Sequence, residues 1–175
     1  MIGDRTIPSS AIPAVALSAW LGAAVLTAAV VAPAAFAVLP TRTLAGALVG
    51  RVLPVLFYAG AAVGALAALL GRTTPSPTAR LVASAIMIAT CLAAQLLVAP
   101  RIERVRAAAG RPIDELAVGD RLRADFGRLH GASVMLLGVA AIAGAAALVL
   151  TLRAVPIAGT TRELSNISSP STDDG

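Results

Sequence analysis

The chain predicts an all-α polytopic membrane protein, with four transmembrane helices arranged as two hairpins, and three observations predict it. Its 175 residues are 58% hydrophobic and 13% charged, with a mean hydropathy of +0.86, well above the range of a soluble domain. Four stretches carry no Asp, Glu, Lys or Arg: Thr6 to Thr41, Val52 to Gly71, Leu81 to Pro100 and Gly131 to Leu152. Each supplies the roughly 20 helical residues needed to cross a hydrocarbon core about 30 Å thick. None alternates strictly between apolar and polar residues as a barrel strand does. In lipid the backbone must satisfy its own hydrogen bonds, so helix is the form these runs take.

The elements follow in order. Residues 1–12 read as an extramembrane N-terminus, and the transmembrane domain covers 13–153, with spans over about 14–39, 52–71, 81–100 and 131–152. Ala35, Phe36 and Ala37 make an A-x-A pattern of the kind signal peptidase accepts. The apolar run before it is too long for an h-region, and Asp4 beside Arg5 cancels the charge of the n-region, so the first span is expected to be retained. "GRTTPSPTAR", from Gly71 to Arg80, reads as a tight extramembrane turn. Beyond Pro100, Ile102 and Val105 continue the helical spacing of span three as far as Gly110, a C-cap glycine.

From about Pro112 a second helical pattern places Leu122, Phe126, Leu129 and Ser133 at i, i+4, i+7 and i+11. Asp120/Arg123, Arg121/Asp125 and Asp125/Arg128 are spaced to pair along it. This predicts an amphipathic helical extension between helices three and four, either projecting from the lipid as a hairpin or lying on the headgroups. Residues 154–175 are polar and aperiodic and predict a disordered tail. A short echo, "AAVVAP" ending at Pro33 and "LLVAP" ending at Pro100, hints at two parallel hairpins.

All fourteen basic residues are arginine, and the net charge is +5. They flank the spans without an aromatic-rich basic face, so the expected partner is a bilayer with anionic headgroups and not nucleic acid. The connections after spans one and three carry nine arginines, against five in the N-terminus, the turn and the tail. The excess of positive charge places the two Arg-rich connections inside and both termini outside. A composition rich in Ala and Arg without Lys suggests a bacterial inner membrane.

No charged residue lies inside a span, which removes the carboxylate relay of a conventional proton-coupled transporter. No phosphate loop, zinc spacing or nucleophile elbow is present, so no catalytic residue, metal site or cofactor is expected. Met87, Cys91 and Gln95 share one face of span three. As soft ligands they would suit copper, but Cys91 lies about 15 Å deeper than the boundary at Arg101, and packing is the preferred reading. Gly46/Gly50, Gly60/Gly64 and Gly127/Gly131 recur at i, i+4 and predict close helix packing, within the chain or with a second copy. Gln95 sits about 9 Å inside Arg101, a depth span four reaches near Ser133 or Met135, which predicts an interhelical hydrogen bond with Ser133 or a backbone carbonyl, worth about 0.6 kcal/mol. His130, the single histidine, is expected to join Arg51, Arg101 and Ser133 in a polar cytoplasmic mouth suited to an anionic head group. Two other readings stay open for it: a structural residue that snorkels or hydrogen-bonds a carbonyl near the end of span three, and a haem ligand whose second axial partner is Met135 or comes from another copy.

"WLGAAVLTAAVVAPAAFAVLPTRTLAGALVGRV", "APRIERVR" and "FGRLHGAS" together resemble the transmembrane protein 205-like family, a domain of unknown function, over roughly Ala19 to Leu152. The resemblance rests on Trp20, Gly22, Ala32, Pro33, Phe36, Ala45, Gly46, Gly50 and Arg51, then Pro100, Phe126, Leu129, His130 and Ser133. It implies a four-helix membrane domain without an established enzymatic activity. An asparagine often found after the serine in that family is replaced here by "VMLLGV". The expected function is a non-enzymatic binding or accessory module for a lipid, a small solute or a partner membrane protein. The alternatives are an oligomeric transporter or channel subunit and, furthest behind, a haem or metal membrane oxidoreductase.

Overall fold

Caps and prolines decide where the helices of this chain start, widen and stop. The computed structural model describes residues 11–70 and 77–153. It contains four helices long and apolar enough to cross a membrane: α1 (Ala11–Val38), α2 (Arg42–Leu70), α3 (Pro77–Ala109) and α4 (Arg121–Arg153). With no strand among the described residues, the chain is an all-α, multi-pass membrane protein. Of the turn expected from Gly71 to Arg80, residues 71–76 lie outside the described residues, as do most of the N-terminus and the tail from 154 onward, whereas Pro77–Arg80 already form the first turn of α3.

Three helix ends differ from what the charge-free runs suggest. α2 begins at Arg42, ten residues ahead of Val52, because the Thr41 hydroxyl accepts from the Leu44 N–H at 3.2 Å and caps the first turn. A charge marks the edge of the lipid, not the edge of a helix. α3 does run on to Ala109, where Gly110, at φ +64°, donates its N–H to the Arg106 carbonyl at 3.3 Å. The next helix, by contrast, does not begin near Pro112. A 3-10 turn at Ile113–Glu115 intervenes, and α4 starts when the Asp120 carboxylate accepts from the Leu122 N–H at 2.8 Å. Asp120 therefore caps the helix and does not pair with Arg123. The other two expected pairs form loosely, Arg121 to Asp125 at 3.9 Å and Arg128 to Asp125 at 3.6 Å.

At 33 residues each, α3 and α4 are about 50 Å long, some 20 Å more than the hydrocarbon needs. The far end of α3, Ala99–Ala109, packs against α4, so the excess length stays together as a helical hairpin.

The echo in the sequence has a structural counterpart. Thr27–Val31 and Ala94–Val98 are both single π turns, each followed by Ala-Pro. In each, the alanine N–H reaches back five residues, Ala32 to the Thr27 carbonyl and Ala99 to that of Ala94. A proline ring collides with the carbonyl four residues before it, and widening the preceding turn by one residue makes room.

The helices form a ring in chain order, each on the next, with the first part of α1 closing the ring against α4. Its centre is the Trp20 indole, whose Nε1 donates to the Leu56 carbonyl at 2.8 Å. That carbonyl is one turn before Gly60, where the missing side chain lets the ring lie against the α2 backbone. A Cβ at Gly60 would stand 2.8 Å from both the Trp20 ring and the Cys91 Sγ, and one at Gly64 would stand 2.9 Å from Ile88. At both glycines a side chain of a neighbouring helix occupies the space a Cβ would need. Leu17, Phe57, Met87, Cys91 and Ala147 complete the core around them. Toward the end formed by the start of α1 and the start of α3, Pro13, Ser84 and Thr151 are fully buried and Arg80 is only 2% exposed. Thr151 donates to the Ala147 carbonyl at 2.7 Å, while Arg80 Nε and Nη2 and the Ser84 hydroxyl have no partner among the described residues.

Candidate functional site

At the opposite end the ring is open. Ala11–Leu26 packs on both α2 and α4, but beyond the first π turn Ala32–Val38 follows α2 and leaves α4. The gap between α2 and α4 is a cleft of about 720 Å³. Its walls are helical stripes at three- and four-residue spacing: Gly46, Val49, Gly50, Leu53 and Phe57 on α2; Gln95, Ala99, Ile102 and Arg106 on α3; Arg123, Phe126, His130 and Ser133 on α4. Arg111 to Asp114, in the connection before α4, closes one side, and Phe36 of α1 stands at the edge.

The rim is charged and mostly positive, with Arg42, Arg106, Arg111 and Arg123 against Glu103 and Asp114. Both carboxylates are engaged. Glu103 receives Arg106 Nη1 at 3.1 Å, and Asp114 Oδ1 accepts from the Thr43 hydroxyl at 3.1 Å. The Asp114 contact ties the connection to the first turn of α2 and holds the rim in shape. Arg123 Nη1 donates to the Leu116 carbonyl at 2.7 Å. Arg42 and Arg111 form no ion pair among the described residues.

Below the rim is a stack of planar groups. The Arg106 guanidinium carbon lies 5.4 Å from the Phe126 ring centre, and the His130 imidazole lies 6.1 Å from it at an interplanar angle of 4°. The stack puts His130 in the wall by ring packing, in place of the backbone hydrogen bond a structural histidine would make. Deeper still, the wall is apolar through Val49 and Ile102, and its inner part mixes Leu53 and Phe57 with two polar groups. Ser133 is 8% exposed and Gln95 half-buried, and neither side chain makes a hydrogen bond among the described residues. The Ser133 hydroxyl is not among the sealed, unpaired atoms, so it is reached from the cleft itself.

Of the expected mouth residues, the structure brings His130 and Ser133 together and leaves out Arg51 and Arg101, which are exposed and not part of the lining. The expected hydrogen bond of Gln95 to Ser133 or a backbone carbonyl is absent among the described residues, although both side chains line one cavity. The glycines also divide. Among the described residues Gly46, Gly127 and Gly131 have nothing within 4 Å of where a Cβ would stand, so they make no close helix approach there. Gly50 stands apart, with Arg106 Nη1 3.8 Å from that point. The cause is the divergence of the helices at this end. Met135 is 70% exposed and lies away from the cleft, whereas Met87 and Cys91 belong to the Trp20 core. Among the described residues no three His, Cys, Asp or Glu side chains converge as metal ligands would.

Sequence reading missed Arg42, Arg106, Arg111 and Arg123, although one signal was present: Arg106 is eleven residues from Gln95 and falls on the same stripe.

No curated protein and no solved structure matches the chain. A family model does match, a domain of unknown function (DUF4149), over residues 15–111. That interval contains Trp20, both π turns and the cleft wall as far as Arg111, and it covers more than half of the chain, so the chain belongs to the DUF4149 family.

Proposed function

We propose that this protein is a non-enzymatic ligand-binding module of the membrane that admits an anionic amphiphile sideways, through the gap between α2 and α4. One observation carries the reading: a single cleft combines a cationic rim, an aromatic stack and an apolar wall, in the order that a molecule with a charged head and an apolar body requires. Arg42 and Arg111 supply guanidiniums that no carboxylate of the described chain occupies, and guanidinium is the side chain suited to bidentate hold of carboxylate or phosphate. The excess of arginine around this mouth puts it on the cytoplasmic side, facing anionic headgroups, with both termini outside. The resemblance to the transmembrane protein 205-like family belongs to the same reading and adds a four-helix domain without an established enzymatic activity.

Lipid and small-molecule mass spectrometry of the protein purified in a mild uncharged detergent tests this. One amphiphile per chain should co-purify, and Arg42→Ala combined with Arg111→Ala should reduce it at least about tenfold, since a hydrogen bond to a charged group contributes about 1.5–3 kcal/mol. Arg51→Ala and Arg101→Ala, outside the cleft, should leave it unchanged. Equal loss in both pairs would show a diffuse charge effect and sink the site.

A further inference from the structure

The floor of the cleft is at odds with a simple lipid. A ligand that is charged at one end and hydrocarbon to its tip would press its apolar end against Gln95 and Ser133 and strand both groups away from water. The two side chains share the inner part of one cavity, come from facing helices and are each without a partner among the described residues. Together they offer an amide that both donates and accepts and a hydroxyl that does the same. From Arg123 on the rim to Ser133 is ten residues of α4, about 15 Å.

Resting on the proposed function of this cleft, we propose that its ligand is bipolar. It carries an anionic group held at the rim by Arg42 and Arg111, and an uncharged hydroxyl or carbonyl bound by Gln95 and Ser133 about 15 Å deeper, with an apolar segment against Val49 and Ile102 between them. The floor then acts as a selector. It accepts an amphiphile with a second, uncharged polar group at its inner end and rejects the fully apolar analogue, because only the first satisfies the two buried groups. A site built to hydrogen-bond a hydroxyl discriminates strongly against the analogue that lacks it.

A matched pair of probes tests this on the full chain in uncharged detergent: 12-hydroxydodecanoate, which has a terminal hydroxyl, and dodecanoate, which is the same acid without it. Binding to the intact protein is measured by native mass spectrometry. The wild-type chain should bind the hydroxy acid at least about tenfold more tightly than dodecanoate, the ratio expected for one or two satisfied hydrogen bonds. Gln95→Leu combined with Ser133→Ala should bring the ratio to about one, with dodecanoate bound more tightly than by the wild type because its apolar end no longer strands two polar groups, while the thermal midpoint stays as in the wild type. Binding of both acids with a wild-type ratio near one would overturn the bipolar assignment and leave the anionic amphiphile site standing. Failure of both acids to bind, with no co-purifying amphiphile, would overturn the site and the assignment together. A ratio that survives in the double variant would place the selecting group elsewhere and overturn the role of Gln95 and Ser133.

Discussion

The two ends of this bundle are built from the same few residue types and behave in opposite ways. In the middle and toward the start of α3, glycine lets helices close: Gly60 admits the Trp20 ring and Gly64 admits Ile88. At the other end Gly46, Gly127 and Gly131 meet nothing among the described residues, and arginines line a cleft. Spacing alone does not distinguish a glycine that packs from one that merely leaves room. What decides is whether a large group is aimed at it, and Trp20 is the one tryptophan in the chain.

The contrast can be broken most severely at its centre. Trp20→Ala should destabilise the chain by about 3–5 kcal/mol, the usual range for removing a buried aromatic, with a lower thermal midpoint in detergent as the readout. Trp20→Phe should cost less but still leave the Leu56 carbonyl without its indole donor; a midpoint equal to wild type would mean that the 2.8 Å bond contributes nothing. Gly60→Ala forces a methyl into the Trp20 and Cys91 contact, an overpacking that costs about 1–3 kcal/mol. Phe126→Ala should barely move the midpoint yet weaken amphiphile retention about tenfold by dismantling the Arg106–Phe126–His130 stack; unchanged retention would remove the stack from the site.

The smallest effect sharpens the comparison. Gly131→Ala meets no neighbour within the chain and should stabilise α4 by about 0.5–1 kcal/mol through helix propensity alone. A loss of stability there would reveal a second copy packed on that face, as its spacing with Gly127 also allows.

Much of this architecture could be read from the residues, for a physical reason. Charge-free runs report the thickness of the lipid, which the solvent imposes on every span alike, and so four helices and their hairpin order follow directly. Gly110 as a cap and the Gly60/Gly64 pair are equally local signals. The site was legible only in part, because charge reports depth and says little about direction. Arg51 is adjacent to the cleft residue Gly50, yet one residue along a helix turns a side chain about 100°, which carries Arg51 out of the lining. Arg101 fails for the same reason, whereas Arg106, on the stripe of Gln95, succeeds. His130 and Ser133 could be placed because each is fixed by its neighbours on a single face of α4. The 3-10 turn before α4 was hidden because the polar residues from Pro112 onward carry no periodicity strong enough to separate a turn from a first helical turn.

The π turns of α1 and α3 bear on how one continuous helix can serve two surfaces. A π turn holds one residue more than an α turn, so everything beyond Ala94–Val98 is rotated relative to the part before it. Met87 and Cys91 face Trp20, while Ile102 and Arg106 face the cleft, and the extra residue helps set the angle between those two directions. The device behaves as a vernier: the count of residues, more than their chemistry, aligns the mouth with the core. Deletion of Leu96 or Leu97 alone, neither of which lines the cleft, would therefore keep every side chain of the cleft wall and still misdirect them together.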